Sequence, residues 1–414
     1  MLSWASRFDI FCFLDGHDYQ LPYEGFECLL AAGSVHSIEA KAGQALDGLR
    51  DFARRHRDWL FGHFAYGLAR ETEPSGSHLL PDPIGFPDLH FFLPEIVIRL
   101  YKDHVSIGSL STSPQQILEE LKKEAGGRKK SEKEPLEWSA RFSREEYLDT
   151  IRALQKHILL GDCYEINFCQ EFFAHPACID PQAVWEALSE ASPNPFAAHY
   201  RLRERYLFCA SPERYLRRIG DRLISQPIKG TLKRVPAGEA GEGFQAERES
   251  LYRSSKDRAE NVMVVDLVRN DLSKICLPGT VRVEELYGIY SFPQVHQMIS
   301  TVTGELPAGK ELTDIIRATF PMGSMTGAPK PRVVELIHQY ERTARGLFSG
   351  ALGYITPKGD FDFNVIIRSL FYNKASSYLS YQVGSGITFY SDPEAEYEEC
   401  LLKAEGIRRA LEGL

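Results

Sequence analysis

A chain of 414 residues, 43% hydrophobic and 25% charged, is long enough for one large or two ordinary domains and has the make-up of a soluble globular protein. Its net charge of −9 gives no field to gather nucleic acid, and no lysine/arginine cluster is interleaved with aromatics, so nucleic-acid binding is not expected. No stretch approaches the roughly 18 apolar residues of a membrane span, and the eight cysteines (12, 28, 163, 169, 178, 209, 276 and 400) lack C-x-x-C or metal-ligand spacing, so a reducing cytoplasm with no membrane contact is expected.

Residues 1–116 alternate short apolar runs such as "FDIFCFL" and "HFAYGL" with turn residues, which predicts a β-rich N-terminal region. Residues 117–140 are charged and carry a Gly-Gly step, the pattern of a helix end followed by an exposed linker. From 141 to 414 strands and helices mix. "SREEYLDTIRALQKHILLGD" opens with Ser143 and Glu146 at capping-box spacing and sets Tyr147, Ile151, Leu154 and Ile158 on one face. "CYEINFCQEFF" follows as a strand, with further strands at "RYLFCAS", "YLRRIGDRLIS", "FSGALGYIT", "FDFNVIIRSLFYN" and "SYLSYQVGSGITFY". Helices are predicted at 257–275, 310–319, 329–340 and 393–412, and the mixture points to an α+β fold.

Several residues have a chemical and a purely structural reading. Glu260 borders the apolar stripe Val264, Leu267, Val268, Leu272 and Ile275, where a carboxylate needs a cation or donor; structurally it is a first-turn acid favouring the helix dipole. In the last helix Tyr397, Cys400, Ala404, Ile407 and Leu411 form the apolar arc, and Glu396, Glu399 and Lys403 border it. Such carboxylates suit a hard cation like Mg²⁺, or else Glu399 and Lys403 are a surface pair. Glycine turns at "PIKGT", "MGSMTGAPK" and "VGSGI" are each weak signals; the middle one offers the hydroxyls of Ser324 and Thr326 before a Pro-initiated helix. No G-x-S-x-G elbow or cysteine nucleophile stands out.

In order along 141–414, "GDCYEINFCQ", "SPERYL", "PIKGT", "DRAENVMVVDLVRNDLSKIC", "FPQVHQMIS", "GSMTGAPKPR", "GALGYI", "IIRSL" and "VGSGITFYSDPEAEYEECLLKAEGI" resemble the chorismate-using enzymes. These include the large subunits of the anthranilate and aminodeoxychorismate synthases and the isochorismate and salicylate synthases. The resemblance implies two packed antiparallel sheets with helices outside, as in anthranilate synthase component I, and a Mg²⁺ site in a cleft. It implies Glu260 and Glu399 as magnesium carboxylates with Glu396 nearby. Tyr354, Arg368, Gly384, Ser385, Gly386 and Lys403 would bind the carboxylates of chorismate, and Gly230 and Thr231 would line its ring. His296 resembles the family's active-site histidine, although a lone histidine in an apolar segment is more often a satisfied core residue.

Lys229 decides between branches. The anthranilate branch carries alanine there and the aminodeoxychorismate branch lysine, which implies amination of chorismate at C4 through a Lys229 adduct, with Glu213 as general acid and base. A salt bridge from Glu213 to Arg214 or Arg217 is the structural alternative. An ordinary lysine is only about 0.04% neutral at pH 7, so burial beside Pro227 and Ile228 and a nearby metal are expected to lower its pKa. Isochorismate and salicylate synthases carry a lysine base where this chain has Glu165, and the aminating members usually carry glutamine. Ammonia would come from a glutamine amidotransferase partner or free ammonium. Gly16 in "FLDGHDY" stands where the family's effector motif has serine, which argues against tryptophan feedback. The expected pathway is p-aminobenzoate and folate synthesis; anthranilate synthase and a catalytically silent scaffold are the alternatives.

Overall fold

The structure, a computed structural model, describes residues 1–17, 19, 26–73, 79–123, 136–234, 243–292 and 295–412. Half of the expected linker, residues 124–135, lies outside them; its first part ends the helix Pro114–Lys123.

Among the described residues, two large antiparallel sheets, of 11 and 10 strands, make the body. One runs from the short strand Gly327–Ala328, beside the 165–174 strand, to the strands of residues 96–109; the second runs from residues 228–233 to 36–40. A shared core lies between them, with Leu29, Tyr200, Leu207 and Cys209 from the first sheet meeting Phe61, Phe91, Leu216 and Phe363 from the second. A second core on the outer face of the first sheet takes Tyr147, Trp185, Val333 and Cys400 from the covering helices. The region 1–116 is no separate layer. Ile10–Asp15 pairs with Phe196–Leu202, and Leu60–Phe64 pairs with Ala351–Ile355.

Four strands and four helices position the site. The strands are β1 (Glu165–Ala174), β2 (Ile228–Lys233), β3 (Val295–Glu305) and β4 (Tyr378–Ile387). The helices are α1 (Arg144–Leu159), α2 (Ser255–Ser273), α3 (Lys330–Tyr340) and α4 (Pro393–Glu412). The capping box expected for α1 is formed: Glu146 N donates to Ser143 Oγ at 3.2 Å, and Ser143 N to Glu146 Oε2 at 2.8 Å. α2 starts where Ser254 Oγ accepts from Asp257 N, two residues before the expected start. The "FDFNVIIRSLFYN" run divides into Phe361–Asn364 and Ser369–Asn373, and Arg368 sits in the break at φ +51°.

β1 is fixed by a buried ion pair. Arg345 donates to Glu341 at 2.6 Å, to Asn167 O at 2.7 Å and to Met325 O at 2.6 Å, while Glu341 accepts from Cys169 N at 3.0 Å. The glycine of "MTGAPK" also serves this strand. Gly327 pairs with Ile166, and a Cβ there would stand 2.0 Å from Glu165 O, so no side chain fits.

Candidate active site

Lys229 is the second residue of β2 and Glu165 the first of β1, and Lys229 Nζ donates to Glu165 Oε1 at 3.2 Å. Gly386 of β4 lies over the pair: a Cβ there would stand 2.5 Å from Glu165 Oε1 and 3.1 Å from Lys229 Nζ. That approach is the reason for glycine at 386. Glu165 is buried, and its Oε2 has no hydrogen-bond partner among the described residues. Behind β2, Asn261 Nδ2 reaches the Lys229 carbonyl at 3.5 Å and its Oδ1 accepts from Ser300 at 2.6 Å.

The charge environment reverses one expectation. Burial pushes the Lys229 ammonium toward a lower pKa, but Glu165, Glu260 and Glu213 outweigh it and the net shift is upward. These acids hold Lys229 as an ammonium. Glu213 goes the other way: burial raises its carboxyl to about 7, against the opposing pull of Ser324, Lys229 and Arg368. The expected alternative for Glu213 does not form among the described residues, because Arg214 and Arg217 both turn to Asp362, at 3.0 and 2.7 Å. Glu213 is therefore a buried acid poised near neutrality beside a lysine. Arg368 makes no hydrogen bond or ion pair through its guanidinium among the described residues, and Glu213 is the charge it feels.

Glu260 and Glu399 share neighbours. Glu260 is raised by burial against the pull of Lys229 and Lys256; for Glu399 burial is outweighed by Lys403, Lys256 and Lys229, and the net is downward. Two part-buried carboxylates from α2 and α4 that feel the same two lysines suit Mg²⁺, which takes one or two carboxylates and keeps waters for an anion to replace. No group of three or more ligating side chains occurs among the described residues, so Glu396 is not brought in as a third. It is buried, and its charge is felt by Tyr147. Lys403 holds Glu399 at 2.7 Å, as the surface-pair reading expected, and also donates to Gly384 O at 2.9 Å.

Other expected residues are placed differently. Tyr354 packs on Phe26, Trp59 and Phe61 with ring centroids 5.7, 5.6 and 6.1 Å away. It lines a cleft with Gly16 and Arg217, which Lys229 does not line. Thr326 is fully buried and its hydroxyl donates to Met322 O at 3.1 Å, so it is a turn residue. His296 on β3 has both ring nitrogens engaged, with Ser291 Oγ at 2.9 Å and Glu247 at 3.1 Å, and nothing among the described residues links it to Lys229. Thr231 is exposed; Gly230, at φ +94°, lets β2 approach Asp257. Ser324 is buried beside Glu213, as expected for a site hydroxyl, and Ser385 is buried between its two glycines on β4.

The sequence reading did not single out Asn261 or Lys256. Their signal was helical spacing: Lys256 precedes Glu260 by one turn, and Asn261 follows it on the helix that faces β2.

Comparison with known proteins adds relatives to this geometry. The model of the chorismate binding enzyme family matches residues 11–409. Aminodeoxychorismate synthase component 1 of Klebsiella aerogenes is 41% identical over 276 residues, 66% of this chain and 60% of that protein. Anthranilate synthase component 1 of Thermus thermophilus is 35% identical over 363 residues, 85% of this chain and 77% of the relative. The crystal structure of anthranilate synthase component I from Streptococcus pneumoniae superposes with a TM-score of 0.81 at 24% identity, covering 94% of each chain, which establishes the likeness of fold.

Proposed function

The chain belongs to the chorismate binding enzyme family, and on that premise we propose that it replaces the C4 hydroxyl of chorismate by ammonia to give 4-amino-4-deoxychorismate. The observation that carries this reading is the juxtaposition of a part-buried lysine, Lys229, with a buried carboxyl near neutrality, Glu213. A lysine nucleophile and a carboxyl that donates and then accepts a proton are what two successive displacements need.

The steps balance. The neutral Lys229 amine forms a bond to C2, both ring double bonds shift, C1=C2 to C1=C6 and C5=C6 to C4=C5, and the C4–O bond breaks as Glu213 gives its proton to the leaving hydroxyl, releasing water. Ammonia then bonds to C4, both double bonds shift back, and the C2–N bond breaks to return the Lys229 amine. Glu213, now a carboxylate, takes a proton from the new ammonium and is restored. Two displacements place nitrogen on the face the hydroxyl left.

Glu260 and Glu399 would hold Mg²⁺, which supplies positive charge to bind the ring carboxylate and to offset the acids that keep Lys229 protonated. Arg368, lacking an ion pair among the described residues, is the protein cation suited to a substrate carboxylate. Glu165 holds the Lys229 side chain in place through the 3.2 Å hydrogen bond. Ammonia would come from a glutamine amidotransferase subunit, a reading supported by the "component 1" in the names of the relatives. Cytoplasmic location fits this chemistry, and no described helix is long and apolar enough to cross a membrane.

Anthranilate synthesis is the second reading, favoured by the longer match to the Thermus thermophilus relative. Incubation with chorismate, Mg²⁺ and ammonium separates the two. The proposal expects no anthranilate fluorescence and a product that yields p-aminobenzoate only after an added lyase; direct anthranilate formation would sink it.

A further inference from the structure

A second, small space adjoins Glu213. It has room for about one water-sized molecule and is lined by Glu213, Val268, Asp271, Thr319, Ser324 and Val365 among others. These six are buried, and no described lysine or arginine lines the space. Of its two carboxyl groups Asp271 is already paired: its Oδ2 accepts from Lys330 at 2.6 Å and its Oδ1 from Lys274 at 3.0 Å. Val268 and Leu272 of α2 and Met322 supply apolar wall, beside the hydroxyls of Ser225 and Ser324 and the paired hydroxyls of Tyr215 and Thr319 at 2.7 Å.

We infer that this space is the ammonia site, the place that holds ammonia on the Glu213 side of the substrate. The inference rests on the proposed C4 amination and deepens it. A space with room for about one water-sized molecule excludes chorismate and admits ammonia, and the Glu213 carboxyl on its wall can accept from N–H groups. The Glu213 side is also where the chemistry requires ammonia. Glu213 protonates the departing hydroxyl and then takes a proton from the incoming nitrogen, so both groups lie on the Glu213 side of C4. In that step the N–C4 bond forms, the C2–N bond to Lys229 breaks, and the proton released by the new ammonium goes to the Glu213 carboxylate.

The test narrows the cavity with Val268→Phe and, more gently, Val268→Ile, using ammonium chloride as the only nitrogen source. Formation of the Lys229 adduct from chorismate and Mg²⁺ without ammonia is followed in parallel. The expected result is an ammonium KM raised about tenfold in Val268→Phe and less in Val268→Ile, with adduct formation within about twofold of wild type. An unchanged ammonium KM in both variants, with the adduct still forming, would mean that the cavity holds only water and overturn the inference. Should Val268→Phe fail to fold, Val268→Ile decides alone by the same criterion. Absence of the adduct on the wild-type protein would overturn the Lys229 reading and this inference with it, a result distinct from any change in ammonium KM.

Discussion

Lys229 Nζ lies 3.2 Å from Glu165 Oε1, so the proposed nucleophile of β2 is an ion-pair partner of the first residue of β1. The two residues are 64 positions apart in sequence, and β4 seats a glycine, Gly386, over them, where a Cβ would stand 2.5 Å from Glu165 Oε1. Glu165 heads the acids that raise the Lys229 pKa, ahead of Glu260 and Glu213, and together they outweigh burial.

Removing that acid should therefore free the amine. A lysine with a raised pKa is neutral only at high pH, so its reactions rise with pH through that pKa. In Glu165→Gln the acid limb of Lys229 adduct formation is expected to move to lower pH while adduct yield is retained. Rapid-quench mass spectrometry across pH measures it; a limb that stays in place would show that Glu165 does not set the lysine's charge.

Glu213 titrates near 7 and is proposed to act first as an acid, so its protonated form is the active one. Above about 7 the loss of the Glu213 proton offsets the growing neutral fraction of Lys229, so the rate of adduct formation is expected to rise with pH and to level off there. Glu213→Gln is expected to lower that rate by about 10²–10⁴-fold and to abolish the levelling. Levelling that persists in the variant would assign it to another group.

The buried pair that fixes β1 has one partner on each side of a turn, Glu341 and Arg345, 2% and 1% exposed at their side chains. Glu341→Ala leaves Arg345 as a buried charge whose ion-pair partner is gone, and is expected to cost about 3–5 kcal/mol of stability. Chemical denaturation measures it, and a loss below about 1 kcal/mol would be too small for a buried charge stripped of its partner.

Acid stability should be set in part by the core between the sheets. Tyr200 OH lies 3.2 Å from His63 Nδ1 and 2.6 Å from His90 Nδ1, and His63 Nε2 donates to Pro87 O at 2.9 Å. Burial lowers His63 from 6.5 to about 4 and His90 well below its ordinary value. Because the unfolded state binds a proton first, the stability contributed by neutral His63 is intact above 6.5 and is lost as pH falls to about 4. The loss from His63 alone is about 3–4 kcal/mol at roughly 1.4 kcal/mol per unit. Urea melts over this range are expected to flatten in His63→Gln relative to wild type; equal slopes would place the titration elsewhere.

Legibility followed range. The α1 capping box and the helices α2, α3 and α4 were readable because caps and 3.6-residue periodicity are local. The interleaving of residues 1–116 with both sheets was not, since antiparallel pairing across nearly 200 positions, as between Ile10 and Leu202, leaves no local mark. The same limit governed the site. Sequence proximity offered Arg214 and Arg217 to Glu213, yet both pair with Asp362 on the neighbouring strand, leaving Glu213 to be raised by burial. Tyr354 and Thr326 sit in motifs that resemble the family's, but their side chains pack in an aromatic cluster and a turn. The Lys229 pKa followed from three acids that local burial alone could not reveal.

The central claim is that Lys229 forms a bond to chorismate. Intact-mass analysis after incubation with chorismate and Mg²⁺, without ammonia, tests it most directly. The account expects an adduct that maps to Lys229, is absent in Lys229→Ala and is discharged by ammonium. An adduct that persists in Lys229→Ala, or turnover of chorismate to the 4-amino product by that variant at the wild-type rate, would contradict it.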